Sequence, residues 1–203
     1  MAGTRTQEQP ELLVRDKAAW RKWLGANHAK SEGVRLVLAK KGTTKPTRLS
    51  YAEAVEEALA HGWIDGQAKR RDEASWTQRF TPRRKRSVWS KRNTIIAERL
   101  ISEKRMHSAG LAEVDRARSD GRWNAAYDGP ATIEVPDDLA AALAGKPAAK
   151  AMFAILSSIN RYAVLYRIQG AKRPETRARR IDQFVSMLGR GETVYPQRQK
   201  LSG

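Results

Sequence analysis

Ten lysines and arginines fall between Lys69 and Arg92, in Lys69-Arg70-Arg71, Arg79, Arg83-Arg84-Lys85-Arg86 and Lys91-Arg92, interleaved with Trp76, Phe80 and Trp89. So dense a positive field calls for an anionic counterpart. Guanidinium forks match phosphate geometry, and a helix opening at Ser87 or Ser90 would add free backbone N–H groups and a positive dipole end. Trp76, Phe80 and Trp89 offer planar faces on which bases can stack. The anion-binding candidates in this stretch are Arg79, Arg83, Arg84, Lys85, Arg86, Ser87, Ser90, Lys91 and Arg92. The alternative places the tryptophans in the core and the arginines in solvent or on Glu53, Glu56, Glu57, Asp72 and Glu73. Trp89 in particular would share a helical face with Ile96 and Leu100.

A second basic cluster, Lys172, Arg173, Arg177, Arg179 and Arg180, opens the last helix expected in the chain. Arg173, Arg177 and Arg180 join the candidate set if they meet the Arg83–Arg86 stretch across a domain cleft. Otherwise they form a solvated face, with Glu175 offsetting the helix dipole. Asp65, in Trp63-Ile64-Asp65-Gly66, is a candidate acid or base in a pocket with Arg79 and Asn93, walled by Trp63, Trp76, Phe80 and Trp89. More often an Asp before Gly is a turn or strand-end residue bonded to local backbone. No residue is assigned a catalytic role.

The chain has no cysteine, which removes thiolate nucleophiles, disulfides and Cys-ligated zinc. Its three histidines, His28, His61 and His107, are far apart in sequence and form no local ligand pattern, so neither a metal nor a cofactor is expected. His61, at a predicted helix C-terminus, reads as a cap favoured by the dipole.

With 203 residues and 40% hydrophobic content the chain can bury a real core. Its formal charge of +17 and pI of about 10.6 favour nucleic acid or another polyanion, or an anionic membrane surface, as partner. The N-terminal residues lack the apolar core of a secretory signal and no segment is long and apolar enough to span a bilayer, so a cytoplasmic location is expected. Oligomeric state stays open.

The fold expected is α+β, a small N-terminal β-α-β-α-β-β unit followed by an all-helical C-terminal half. The predicted division is a disordered leader over 1–10, an α+β domain over 11–86, a helical domain over 87–192 and a tail over 193–203. Glu11–Val14 is a short strand. Asp16 caps a helix with Trp20, Trp23 and Leu24 on one face, and Val34–Lys41 alternates as a strand. Ser50 and Glu53 have capping-box spacing, opening a helix that stops at Gly62. Residues 63–69 and 75–80 form a hairpin. Helical periodicity then takes over: one helix from Ser87 or Ser90 to about Met106, another from His107 or Ser108 to Gly121, and later ones opening at Asp137 or Asp138, Pro147 and Pro174. The last presents Ile181, Phe184, Val185 and Leu188 to a core.

Three stretches together resemble one family: Trp63-Ile64-Asp65-Gly66; Arg79-Phe80-Thr81-Pro82-Arg83-Arg84 running into Ser87-Val88-Trp89-Ser90-Lys91-Arg92-Asn93; and Asn160-Arg161-Tyr162-Ala163 with Ala171 to Ile181. The chain is similar, from about residue 10 to about 190, to the YdeI/OmpD-associated (OmdA-like) bacteriocin-protection proteins. The resemblance implies a link to antimicrobial-peptide or stress resistance and supplies no catalytic residues. A strongly cationic protein repels cationic peptides, so such protection would be indirect. Two readings follow: a non-enzymatic binder of phosphate-rich partners, or an enzyme or sensor for a small anion held between the two halves.

Overall fold

The computed structural model describes residues 9–200. Most of the expected leader, residues 1–8, and the last three residues of the expected tail lie outside that range. Four strands and eight helices are present among the described residues, an α+β fold. In order they are β1 (Glu11–Leu12), α1 (Lys17–Asn27), β2 (Val34–Ala39), α2 (Tyr51–Ala60), β3 (Trp63–Arg70), β4 (Ser75–Pro82), α3 (Lys91–Ser102), α4 (Ser108–Ser119), α5 (Asp137–Ala144), α6 (Pro147–Ala154), α7 (Ser158–Gln169) and α8 (Pro174–Gly189).

Local chemistry sets the element boundaries. Asp16 accepts from the Ala19 N–H at 3.1 Å and starts α1. The capping box at α2 is complete, with the Glu53 N–H donating to Ser50 Oγ and the Ser50 N–H donating to Glu53. Gly62 ends that helix in the left-handed region, with φ +77°. The β3–β4 turn is organised by Asp72, whose carboxylate accepts from the Ala74 and Ser75 N–H groups at 2.9 and 2.7 Å.

The sheet order is β1-β2-β4-β3, with β1 parallel to β2 and the other pairs antiparallel. The β3–β4 register slips between Asp65 and Ala68, where Gln78 Nε2 donates to the Gly66 carbonyl at 2.6 Å.

The chain divides into two compact units: Met1–Trp89 with Asn93–Ala126, and Ser90–Arg92 with Tyr127–Gly203. This division does not coincide with the boundary expected at residues 86 and 87: α3 from Asn93 onward and α4 fall in the first unit. Trp89, Ala97, Leu100, Val114 and Ala117 are buried in the same core as Trp20, Leu24, Leu36, Leu38, Leu59, Trp63 and Phe80. The second unit is helical. Its core joins Leu139, Leu143, Met152, Phe153, Val164 and Ile168 to the expected α8 face of Ile181, Phe184, Val185 and Leu188.

Candidate functional site

The basic run divides into three groups with different surroundings. At its start Arg70 pairs with Glu73, and Arg71 bonds Glu11 at 3.0 Å and also Asp72. These cations are neutralised within the molecule, as the alternative reading expected. Glu56 and Glu57, by contrast, serve Lys17, Arg21, Arg99 and Arg105, none of which belongs to the run.

Arg83 is buried. Its guanidinium carbon lies 3.5 Å from the centroid of the Trp89 ring, and Nη1 donates to the Val88 carbonyl at 3.2 Å. Only 6% of Arg83 and 1% of Trp89 is exposed, so this pair is a wall of the core rather than a landing surface.

Arg84, Lys85 and Arg86 are exposed on the turn between β4 and α3, and among the described residues none of the three pairs with a carboxylate. Of the two helix openings expected, the one at Ser90 directly precedes α3, and Ser87 lies in the turn before it. Its Oγ accepts from the Arg84 N–H at 2.9 Å and its own N–H donates to the Arg84 carbonyl at 2.9 Å, closing the turn that displays the three cations. Beside the turn lies a cleft of about 700 Å³ lined by Gln9, Ser31, Thr81, Arg79, Arg83 and Arg84 among others. Arg79 Nε donates to Gln9 Oε1 at 3.0 Å. Gly33, at φ +139°, lets this corner close, because a Cβ there would sit 2.3 Å from Gln9 Nε2.

The aromatic pocket is not assembled. Trp63 and Phe80 are 1% and 0% exposed, and with Trp89 they are core residues that no base can reach. Trp76 is half-buried against Tyr51, with ring centroids 5.8 Å apart. Asp65 accepts from the Tyr51 hydroxyl at 2.7 Å, and Asn93 is buried at 8% exposure in α3. Stacking platforms and a core face have the same sequence signature, apolar rings at regular spacing, and here the core took them.

Ser90, Lys91 and Arg92 cluster with the second unit. Ser90 bridges to Tyr127, Lys91 Nζ pairs with Asp128 at 2.8 Å and Arg92 is exposed. The Lys91 contact, with help from Gln169, holds the Asp128 carboxyl below the usual range. In the second basic cluster Arg177 grips Asp138 with Nε and Nη2 at 2.6 and 2.9 Å, and Arg180 donates to the Arg167 carbonyl. Arg173 is exposed at the N-cap of α8. Of that cluster's assigned residues, Arg177 and Arg180 are committed to structural bonds.

One constellation escaped the sequence. His28, His61 and His107 come together in the first unit, with ring centroids 4.6 Å (28–107), 5.2 Å (61–107) and 5.6 Å (28–61) apart. Their separation along the chain concealed this. The available signal was that each stands at a helix end, His28 and His61 as C-caps and His107 as an N-cap. His61 and His107 stack face to face at 16°, so their nitrogens lie in parallel planes. Among the described residues no group of three or more His, Asp or Glu side chains is arranged to hold a metal ion.

Residues 132–191 match the family described as bacteriocin-protection, YdeI or OmpD-associated, a segment that holds the Asn160 and Ala171–Ile181 stretches. The Trp63 and Arg79–Asn93 stretches lie outside it, within residues 12–113, which match a domain of unknown function, DUF8412. No curated protein and no solved structure matches the chain significantly. With one match spanning half its length and holding the basic turn, the chain belongs to the DUF8412 family, and it carries a YdeI/OmpD-associated domain over residues 132–191.

Proposed function

We propose that the protein is a non-enzymatic binder of phosphate-rich polymers, nucleic acid first among them, and that the β4–α3 turn is the contact. One observation carries the reading: Arg84, Lys85 and Arg86 stand exposed beside the Arg79 cleft without a carboxylate partner among the described residues, while Arg70 and Arg71 nearby are neutralised. On a folded chain at +17, an exposed turn of three cations without a carboxylate partner among the described residues adds a strong local positive field. With Trp63, Phe80 and Trp89 buried, recognition runs through the phosphate backbone and carries little sequence preference. Cytoplasmic residence and any indirect role in antimicrobial-peptide resistance belong to the same proposal.

The test is retardation of a random-sequence duplex and a random single strand at low and moderate salt. Binding of both that weakens steeply with salt supports the reading, and no retardation at low salt refutes it.

A second reading has a small anion seated in the cleft between Arg79 and Arg84, with Ser31 and Thr81 on its lining. Titration with inorganic phosphate, followed through the turn's amide resonances, separates the two. Saturable binding with no duplex retardation favours the small ligand.

A further inference from the structure

All three histidines of the chain meet where α4 docks on the C-terminal ends of α1 and α2. The docking is close. The His107 N–H donates to the Ala60 carbonyl at 2.9 Å. A Cβ on Gly110 would lie 2.3 Å from that same oxygen, and one on Gly62 would lie 2.9 Å from the Ala109 carbonyl.

Each imidazole has one nitrogen committed. Nδ1 of His28 bonds the Leu24 carbonyl and Nδ1 of His61 the Glu57 carbonyl, both at 2.9 Å, so in these two rings Nδ1 carries the proton. His107 is the opposite case. Its Nδ1 accepts from the Ala109 N–H at 3.2 Å as the N-cap of α4, which requires a lone pair there and therefore a neutral ring. A proton on that nitrogen removes the cap and sets a cation at a positive dipole end.

We infer that the three imidazoles form a proton-operated latch on the N-terminus of α4, and that opening it loosens the turn bearing Arg84, Lys85 and Arg86. The first half stands on the histidine geometry alone, and the second rests on the polyanion-binding reading of that turn.

The charged groups facing the trio are mainly cations, and the carboxylates among them are shared with arginine and lysine. From α1 comes Arg21, and from the α3–α4 connection Lys104 and Arg105, all on the lining of the adjacent cleft. From α2, Glu57 is taken by Arg21 at 2.7 Å and by Lys17 and Arg105 at 3.5 Å, and Glu56 by Lys17, Arg99 and Arg105. On α4, Glu113 pairs through Oε1 with Arg116 at 2.6 Å, and its buried Oε2 has no hydrogen-bond partner among the described residues. Burial pushes the His61 imidazole below its ordinary value, against its bond to the Glu57 carbonyl and the negative charge of the Glu57 carboxylate, and charge on His107 or His28 pushes the same way as burial. The folded state then binds fewer protons than the unfolded one, so stability here is full above about pH 6.5 and falls as pH drops below it.

The route to the turn runs through the residues after α4. Arg122 Nη1 donates to the Ser87 carbonyl at 2.7 Å, and the Trp123 ring lies 4.8 Å from Trp89, which also carries Arg83. Ser87 and Trp89 are the base of the basic turn, so an α4 that lifts at His107 slackens its anchor.

The experiment is hydrogen exchange on the ligand-free full chain at pH 7.5 and 5.5, corrected for intrinsic rates, reading residues 108–119 and 84–89. Protection in both segments is expected to fall about tenfold per pH unit for each extra proton the open state takes up. His107→Ser keeps a capping oxygen without a titrating ring and should hold the loss to less than about threefold. His28→Asn, which keeps a donor for the Leu24 carbonyl, is the second variant should the first not fold. Equal protection at both pH values in wild type, or an undiminished loss in the folded variant, overturns the latch. Loss in 108–119 without loss in 84–89 overturns the link to the turn. Duplex binding at pH 7.5 is read separately, so failure of the polyanion proposal leaves the latch result intact.

Discussion

The Arg83 guanidinium carbon sits over the Trp89 ring, 3.5 Å from its centroid, while the next three residues in the sequence are cations turned to solvent. One side chain of a four-residue basic run is thus a structural member, and the other three are free to serve a partner.

Arg83→Ala should destabilise the protein by about 2 kcal/mol, as expected for a desolvated cation–π contact plus a backbone hydrogen bond. The triple substitution Arg84→Ala, Lys85→Ala, Arg86→Ala should leave the urea midpoint where it is in wild type. Equilibrium urea denaturation distinguishes them. Equal midpoints for both variants would mean that Arg83 is not the structural residue.

The carboxylate pair on α2 predicts the acid limit of stability. Burial raises the Glu56 carboxyl, but hydrogen bonds from Arg99, Lys17 and Arg105 overcome that and bring it to about 2; Glu57, mostly buried, is likewise held below its ordinary value. Both are depressed in the folded state, so their contribution is present above the ordinary glutamate range and lost as pH falls from about 4.5 towards 2. Glu57→Gln should cost about 2 kcal/mol at pH 7, less than a fully buried pair because its cations are partly exposed. It should also flatten the pH 2–5 limb of the stability curve, measured by urea denaturation at each pH.

Gly110 tolerates no side chain, since its Cβ would meet a backbone oxygen rather than a flexible group. Gly110→Ala should lower stability by about 3 kcal/mol, the range of a core overpacking change. Thermal unfolding with a shift below about 2 °C would contradict the close α2–α4 contact.

Much of the fold is legible in local sequence. The Ser50/Glu53 spacing, the Gly62 stop and the i, i+3, i+4, i+7 pattern at Ile181, Phe184, Val185 and Leu188 all act within a few residues of one another, and all are found. Associations across distance are not legible. Nothing near Trp89 says whether its indole meets a nucleobase or an arginine in the core, because both uses need an apolar ring at that place. The histidines met for a tertiary reason, the docking of α4 on two helix ends. The basic run looked uniform because charge in a sequence does not tell which carboxylates will fold beside it, and among the described residues Arg84, Lys85 and Arg86 were left exposed without one.

Asn160 gives one stretch of the YdeI/OmpD-associated segment a physical role. Its amide is 1% exposed, and Oδ1 accepts from the Tyr195 N–H at 2.8 Å while Nδ2 donates to the Tyr195 carbonyl and to Gln197 Oε1, both at 3.0 Å. Asn160→Asp turns the donor into an acceptor facing two oxygens. It should cost about 2–3 kcal/mol and open residues 193–199 to limited proteolysis before the helical core is cut.

The most direct measure of the central claim is the salt dependence of duplex binding by wild type and by the Arg84/Lys85/Arg86 triple alanine variant. Plotted as log affinity against log salt, the triple variant should be shallower by about two to three and weaker at every salt concentration, as loss of that many phosphate contacts requires. Identical slopes and affinities for the two proteins, both folded, would show that the β4–α3 turn is not where the polyanion lies.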